Sequence, residues 1–67
     1  MSIAEYVKNK RKERRLTQVE LADRAGVGLR FIRDLEQGKS SLRLDKVNEV
    51  LRMWGAEVMV GPMDRGN

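Results

Sequence analysis

LTQVELADRAGVGLRFIRDLEQGK, residues 16–39, holds two short segments of helix-forming residues that are separated by a glycine-containing turn. Thr17 precedes the first segment and Glu20 follows three residues later, which is the spacing of an N-terminal capping box. Gly26 can supply the positive φ that ends this helix and turns the chain sharply, and Gly38 ends the second segment. Two short helices joined in this way predict a helix-turn-helix.

The preceding stretch, SIAEYVKNKRKERR (residues 2–15), contains no glycine or proline and predicts a first helix. Ser2 and Glu5 again have the spacing of a capping box. Ile3 and Val7 lie four residues apart on one helical stripe, which we expect to be buried.

After Gly38, apolar residues recur at helical spacing as far as Gly55 and predict a fourth helix; they are Leu44, Val47, Val50, Leu51 and Trp54. The segment that follows favours a short strand. A lone strand leaves its backbone N–H and C=O groups unpaired, so the same strand of a second copy is its simplest partner, and a frayed tail is the alternative. We therefore divide the chain into a helical domain (1–55), a dimerisation strand (56–61) and a tail (62–67). The predicted dimer interface contains Trp54, Val58, Met59 and Val60.

The composition argues against an enzyme or a metalloprotein. The 67 residues include no cysteine and no histidine, so thiolate and imidazole ligands and the commonest general base are missing. The carboxylates are scattered, and we expect no catalytic site, cofactor or metal. The formal net charge of +4 favours an acidic partner. No apolar run approaches the roughly 20 residues that cross a bilayer, so we expect a cytoplasmic protein without membrane contact.

The basic run KNKRKERR, residues 8–15, has six basic residues and one acidic residue, which gives a local charge of +5. Its lysines could steer the chain to DNA and add salt-dependent affinity. They could equally form a solvated helix face or act as a localisation signal. The run alone does not distinguish these alternatives.

Residues 3–54 resemble the phage-repressor and Cro type of helix-turn-helix, also called the XRE family. The matching elements are Leu-Thr-Gln at the start of the second helix, Glu-Leu-Ala, Ala-Gly-Val, an inward isoleucine, and Glu-x-Gly at the end of the third helix. The resemblance implies a mainly α, lambda-repressor-like bundle of four short helices that binds double-stranded DNA. Its third helix, about residues 28–37, would lie in the major groove. Gly28 departs from the pattern, since the family often has serine or threonine there as N-cap.

The same resemblance implies roles for individual residues. Base-reading positions fall on Leu29, Arg30, Arg33 and Asp34, and arginine suits bidentate contact with guanine. DNA-backbone contacts fall on Thr17, Gln18, Gly28, Lys39, Ser40 and Arg43. Arg11 and Glu36 match a pair that forms a buried salt bridge in the family. Phe31 suits inward packing and DNA contact equally.

The shortness of the chain and its terminal GAEVMV segment are also similar to the HipB-type antitoxins, small repressors that dimerise partly through such a strand. This similarity implies a homodimer that binds a palindromic operator in the bacterial nucleoid and represses its own operon. The alternative is an antitoxin whose main role is to bind and neutralise a HipA-like kinase toxin.

Overall fold

The computed structural model describes residues 2–59, which fold into four helices. They are α1 (Ile3–Glu13), α2 (Gln18–Ala25), α3 (Leu29–Glu36) and α4 (Leu44–Arg52). The prediction of a mainly α bundle of four short helices is confirmed. Each helix described within residues 2–59 is too short or too polar to span a lipid bilayer.

The capping boxes predicted for the first two helices are both confirmed. The Ser2 hydroxyl accepts from the Glu5 N–H at 3.1 Å, and the Glu5 carboxylate accepts from the Ser2 N–H at 3.0 Å. Thr17 and Glu20 make the same reciprocal pair at 3.1 and 2.8 Å. Hydrogen bonds from the backbone N–H and then the hydroxyl of the capping residue lower the pKa of both glutamates, so the charged carboxylate is the form that caps each helix.

The turn between α2 and α3 is built on two glycines with different backbone conformations. Gly26 has a φ of 74° in the left-handed region, and its N–H donates to the carbonyls that end α2. Gly28 has an ordinary φ of −75° and is the N-cap of α3 without a side-chain hydrogen bond. The predicted sharp turn therefore depends on Gly26, and the weaker cap expected at Gly28 is present.

The core lies where α3 packs against α1 and α2 and where α4 packs against α2. Its buried apolar residues are Val7, Leu16, Leu21, Ala22, Ile32, Leu35, Val47, Val50 and Leu51. Two residues of the predicted apolar stripes are exposed, since Ile3 is 42% exposed and Leu44 is 57% exposed. Each is the first residue of its helix, and helical side chains tilt toward the N-terminus, so both extend past the end of the bundle.

The C-terminal segment from residue 56 to 59 is not a strand, and the described part of the chain contains no strand at all. A strand requires a backbone ladder with a neighbour, and residues 2–59 provide none. The N–H of Val58 instead donates to the Asn48 side chain at 2.8 Å. Trp54 is half-buried, and its ring lies edge-on to the Tyr6 ring, with 6.3 Å between the two ring centroids. Val60, Gly61 and residues 62–67 lie outside the described residues.

Candidate DNA interface

One face of α3 carries the arginines that were predicted to read bases. Arg30, Arg33 and Gln37 are exposed and follow the i, i+3, i+7 spacing of a single helical face. Ile32 and Leu35 anchor the opposite face in the core. Neither arginine pairs with a carboxylate among residues 2–59, so both guanidinium groups are available to an external acceptor.

Gln37 was not among the predicted site residues, although the sequence contains the signal that identifies it. It lies seven residues after Arg30 and four after Arg33, which continues their stripe by one helical turn. An exposed glutamine can donate to and accept from an adenine edge or a phosphate. The exposed face of α3 therefore extends to its C-cap.

Asp34 and Lys39, predicted as a base reader and a backbone contact, are paired with each other. The Lys39 ammonium lies 3.3 Å from the Asp34 carboxylate, and the Asp34 side chain is half-buried. Asp34 is therefore less available for base contact than the two arginines. Of the three charged residues predicted to read bases, Asp34 is therefore in an ion pair, and Arg30 and Arg33 are free of one among residues 2–59.

The apolar residues of α3 pack largely against the protein. Leu29 and Phe31 are both half-buried and pack against the hydrophobic core. The alternatives left open for Phe31 are thereby narrowed, since most of its ring surface is used in packing. Leu29 is partly exposed, and that exposed part is available to contact DNA, for example a thymine methyl group.

A hydrogen-bonded network around Glu36 fixes the orientation of α3. Arg11 donates to both Glu36 oxygens at 2.7 and 3.0 Å, and to the carbonyl of Leu16 at 2.9 Å. Gln18 donates to the same carboxylate at 3.2 Å. The Arg11 and Glu36 side chains are only 14% and 3% exposed. The network links the ends of α1 and α3 to the start of α2, so α3 presents one fixed face.

The other predicted backbone contacts lie around the ends of α2, α3 and α4. Thr17 uses its hydroxyl as a helix cap, whereas Gly28 and Ser40 are exposed. Arg43 forms a two-point ion pair with Asp45 at 3.2 and 2.7 Å, and hydrogen bonding from Arg43 lowers the pKa of the Asp45 carboxyl. A phosphate at Arg43 would have to replace that carboxylate.

Residues 7–53 match the protein family described as Helix-turn-helix. The chain belongs to the XRE-type helix-turn-helix family. This helix-turn-helix protein is also 47% identical over 64 residues to the uncharacterized HTH-type transcriptional regulator y4mF of Sinorhizobium fredii. That alignment covers 94% of this chain and 84% of the relative. No solved structure matches the helix-turn-helix chain.

Membership of the helix-turn-helix family indicates what kind of molecule the exposed face of α3 contacts. Proteins of this type bind double-stranded DNA by placing the second helix of the motif against base edges. The XRE-type chain is therefore a DNA-binding protein of the class that regulates transcription. Its α2 and α3 are the two helices of the motif, and α3 occupies the recognition position.

Proposed function

We propose that the protein is a sequence-specific transcriptional repressor that reads the major groove with α3, about residues 28–37. The observation that carries this proposal is the pair of exposed arginines on α3, Arg30 and Arg33, which have no carboxylate partner among residues 2–59. Each guanidinium can donate two hydrogen bonds to O6 and N7 of one guanine, the commonest specific contact in this groove.

The neighbouring residues complete the proposed contact. Leu29 would touch a thymine methyl group, and Asp34 would accept from a cytosine amino group once Lys39 moves to a phosphate. The remaining contacts to the DNA backbone would come from Thr17, Gln18, Gly28, Lys39, Ser40 and Arg43. The Glu36 network supports this arrangement because it fixes α3 relative to the start of α2, where Gln18 lies.

We also propose that the protein is a homodimer in which the segment 56–61 pairs with its copy. Burial alternates along residues 56–59, with Ala56 and Val58 half-buried and Glu57 and Met59 exposed, as in an extended chain. The Val58 N–H already donates to the Asn48 side chain. Since successive backbone groups of an extended chain point to opposite edges, those of Glu57 and Met59 would face the second copy. Antiparallel pairing would then place the two-fold axis at Val58 and predict a palindromic operator.

The first test identifies the operator and asks whether Arg30 reads it. Selection from a random duplex pool should yield a palindrome whose half-sites lie about one helical turn apart. Arg30→Ala should weaken binding to that operator by about 1–3 kcal/mol for each half-site and relax the preference at one base pair per half-site. Fluorescence anisotropy with the operator and single-base variants measures both effects.

The control is Arg52→Ala, which removes an exposed arginine from α4 and should leave base preference unchanged. Two results would contradict the proposal: selection that yields no preferred sequence, or an Arg30→Ala protein that binds every duplex more weakly by the same factor.

The antitoxin role is a second candidate function, including repression of the chain's own operon. The similarity to HipB-type antitoxins supports it, and so do the exposed apolar residues Ile3, Leu44 and Met59. These line two grooves that do not include Arg30 or Arg33, so a protein partner could bind beside DNA. Co-purification with the product of a neighbouring kinase-like gene would support this role, whereas an operator absent from the chain's own promoter would contradict autoregulation.

A further inference from the structure

The turn between α1 and α2 contains a residue, Arg15, whose backbone conformation is one that favours glycine. Arg15 has a φ of 56°, and among residues 2–59 it is the non-glycine residue with a positive φ. Its N–H donates to the Lys12 carbonyl and the Leu16 N–H donates to the Arg11 carbonyl, both at 3.0 Å. Glycine would make the same two bonds without the steric cost of this conformation.

The side chain of Arg15 and its neighbour Arg14 are exposed, and neither has a carboxylate partner among residues 2–59. Elsewhere in the basic run the charge is partly used within the protein. Arg11 is paired with the buried Glu36, and Lys10 lies 3.7 Å from Glu13. Four cations of the run have no ion pair among residues 2–59, namely Lys8, Lys12, Arg14 and Arg15, and the last two lie together in the turn.

The contacts of Arg11 locate this turn beside α3. Arg11 donates to the carbonyl of Leu16, at the end of the turn, and to Glu36, at the end of α3. Gln18, two residues after Leu16, reaches the same carboxylate. The residue after Glu36 is Gln37, which belongs to the exposed stripe of Arg30 and Arg33. Positive charge in the turn therefore adjoins the C-terminal end of the proposed recognition surface.

We infer that Arg14 and Arg15 bind backbone phosphates of the DNA duplex, beyond the base pairs that α3 reads. This inference rests on the proposed function, since it requires α3 to lie against DNA. A guanidinium presents paired donors that match phosphate oxygens, and such contacts add affinity without base preference. Glycine at this position would relieve the strain but would supply no cation.

The test compares salt dependence on two duplexes, the selected operator and a scrambled sequence, for variants that preserve the fold. Asparagine tolerates the left-handed region, so Arg15→Asn removes the charge at little structural cost. It should reduce the slope of log K against log[salt] by about 0.9 for each bound copy of the chain. At about 0.1 M salt, this corresponds to an affinity about eightfold lower per copy. The reduction should be equal on both duplexes.

Two further variants separate the local contact from net charge. Arg15→Lys keeps the cation and should keep the wild-type slope. Arg52→Gln removes one exposed positive charge from α4 and should change the slope far less than Arg15→Asn. The double variant Arg14→Gln/Arg15→Asn should lose about two contacts for each bound copy.

An unchanged slope in the double variant would overturn the inference, and so would equal effects of Arg15→Asn and Arg52→Gln. The proposed function fails by a different result, in which the wild-type chain does not prefer the operator over the scrambled duplex. Thermal unfolding of each variant, followed by circular dichroism, shows that affinity changes do not come from loss of the fold.

Discussion

Glu36 lies where α1, α2 and α3 meet, and it accepts hydrogen bonds from Arg11 and Gln18. Its carboxylate is almost completely buried, and its charge is balanced by a guanidinium that solvent barely reaches. No buried side-chain nitrogen or oxygen in residues 2–59 lacks a hydrogen-bond partner. Burial makes this pair sensitive to the loss of either charge, because the remaining ion would lack both water and a counter-charge.

We expect Glu36→Gln to lower the free energy of unfolding by about 3 kcal/mol, because it leaves the Arg11 charge uncompensated in a buried site. The matched control, Glu49→Gln, breaks the exposed Arg52–Glu49 pair of 3.1 Å and should cost less than about 1 kcal/mol. Urea unfolding followed by circular dichroism measures both values. Equal costs would show that burial of the Arg11–Glu36 pair has no energetic consequence.

At the scale of elements, the turn between α2 and α3 sets the geometry of the motif. Gly26 and Gly28 are two residues apart, and a Cβ added at either would meet no atom within 4 Å. Only Gly26 has a positive φ, so the two positions differ in backbone conformation and not in available space. The same substitution should therefore have opposite effects on stability at the two positions.

Gly28→Ser should stabilise the protein by about 0.5–1 kcal/mol, because it adds a side-chain N-cap to α3 and restricts the unfolded chain. Gly26→Ser should destabilise it by about 1 kcal/mol, since serine is strained at a φ of 74°. Thermal or chemical unfolding of the two variants gives the sign of each effect. Two changes of the same sign would mean that backbone conformation does not determine the response.

At the scale of the whole molecule, the proposed homodimer would add buried apolar surface to a small core. A chain of 67 residues buries a limited apolar surface and commonly gains stability from a second copy. A groove of about 370 Å³ lies between the start of α1 and residues 56–59, and its lining includes Ile3, Tyr6 and Met59. Met59 is 80% exposed in the single chain, so the proposed dimer would cover a side chain that is otherwise solvated.

Met59→Pro should weaken the proposed dimer, because it removes an N–H that would face the second copy. Symmetry doubles the loss to two hydrogen bonds, or about 1–3 kcal/mol, which raises the dimer Kd by about fivefold to 150-fold. Met59→Ala is the control, since it keeps the N–H and removes only the exposed side chain. Light scattering over a concentration series measures the dimer Kd. An unchanged Kd would indicate that the interface lies on another surface, such as that of Trp54.

The sequence by itself was sufficient for the features that depend on near neighbours. Capping boxes join residues three apart, the left-handed turn needs a glycine, and Arg30 and Arg33 share a face because the helix repeats every 3.6 residues. The Arg11–Glu36 pair spans 25 residues and was expected only through family resemblance.

The tertiary structure alone decided which charged groups remain free. It pairs Lys39 with Asp34, ties Gln18 to Glu36 across 18 residues, and leaves Arg14 and Arg15 without a carboxylate partner among residues 2–59. Sequence spacing does not determine these outcomes. The Lys39–Asp34 pair depends on the path of the chain after α3, and the others depend on which distant side chains the packing of the helices brings within 4 Å.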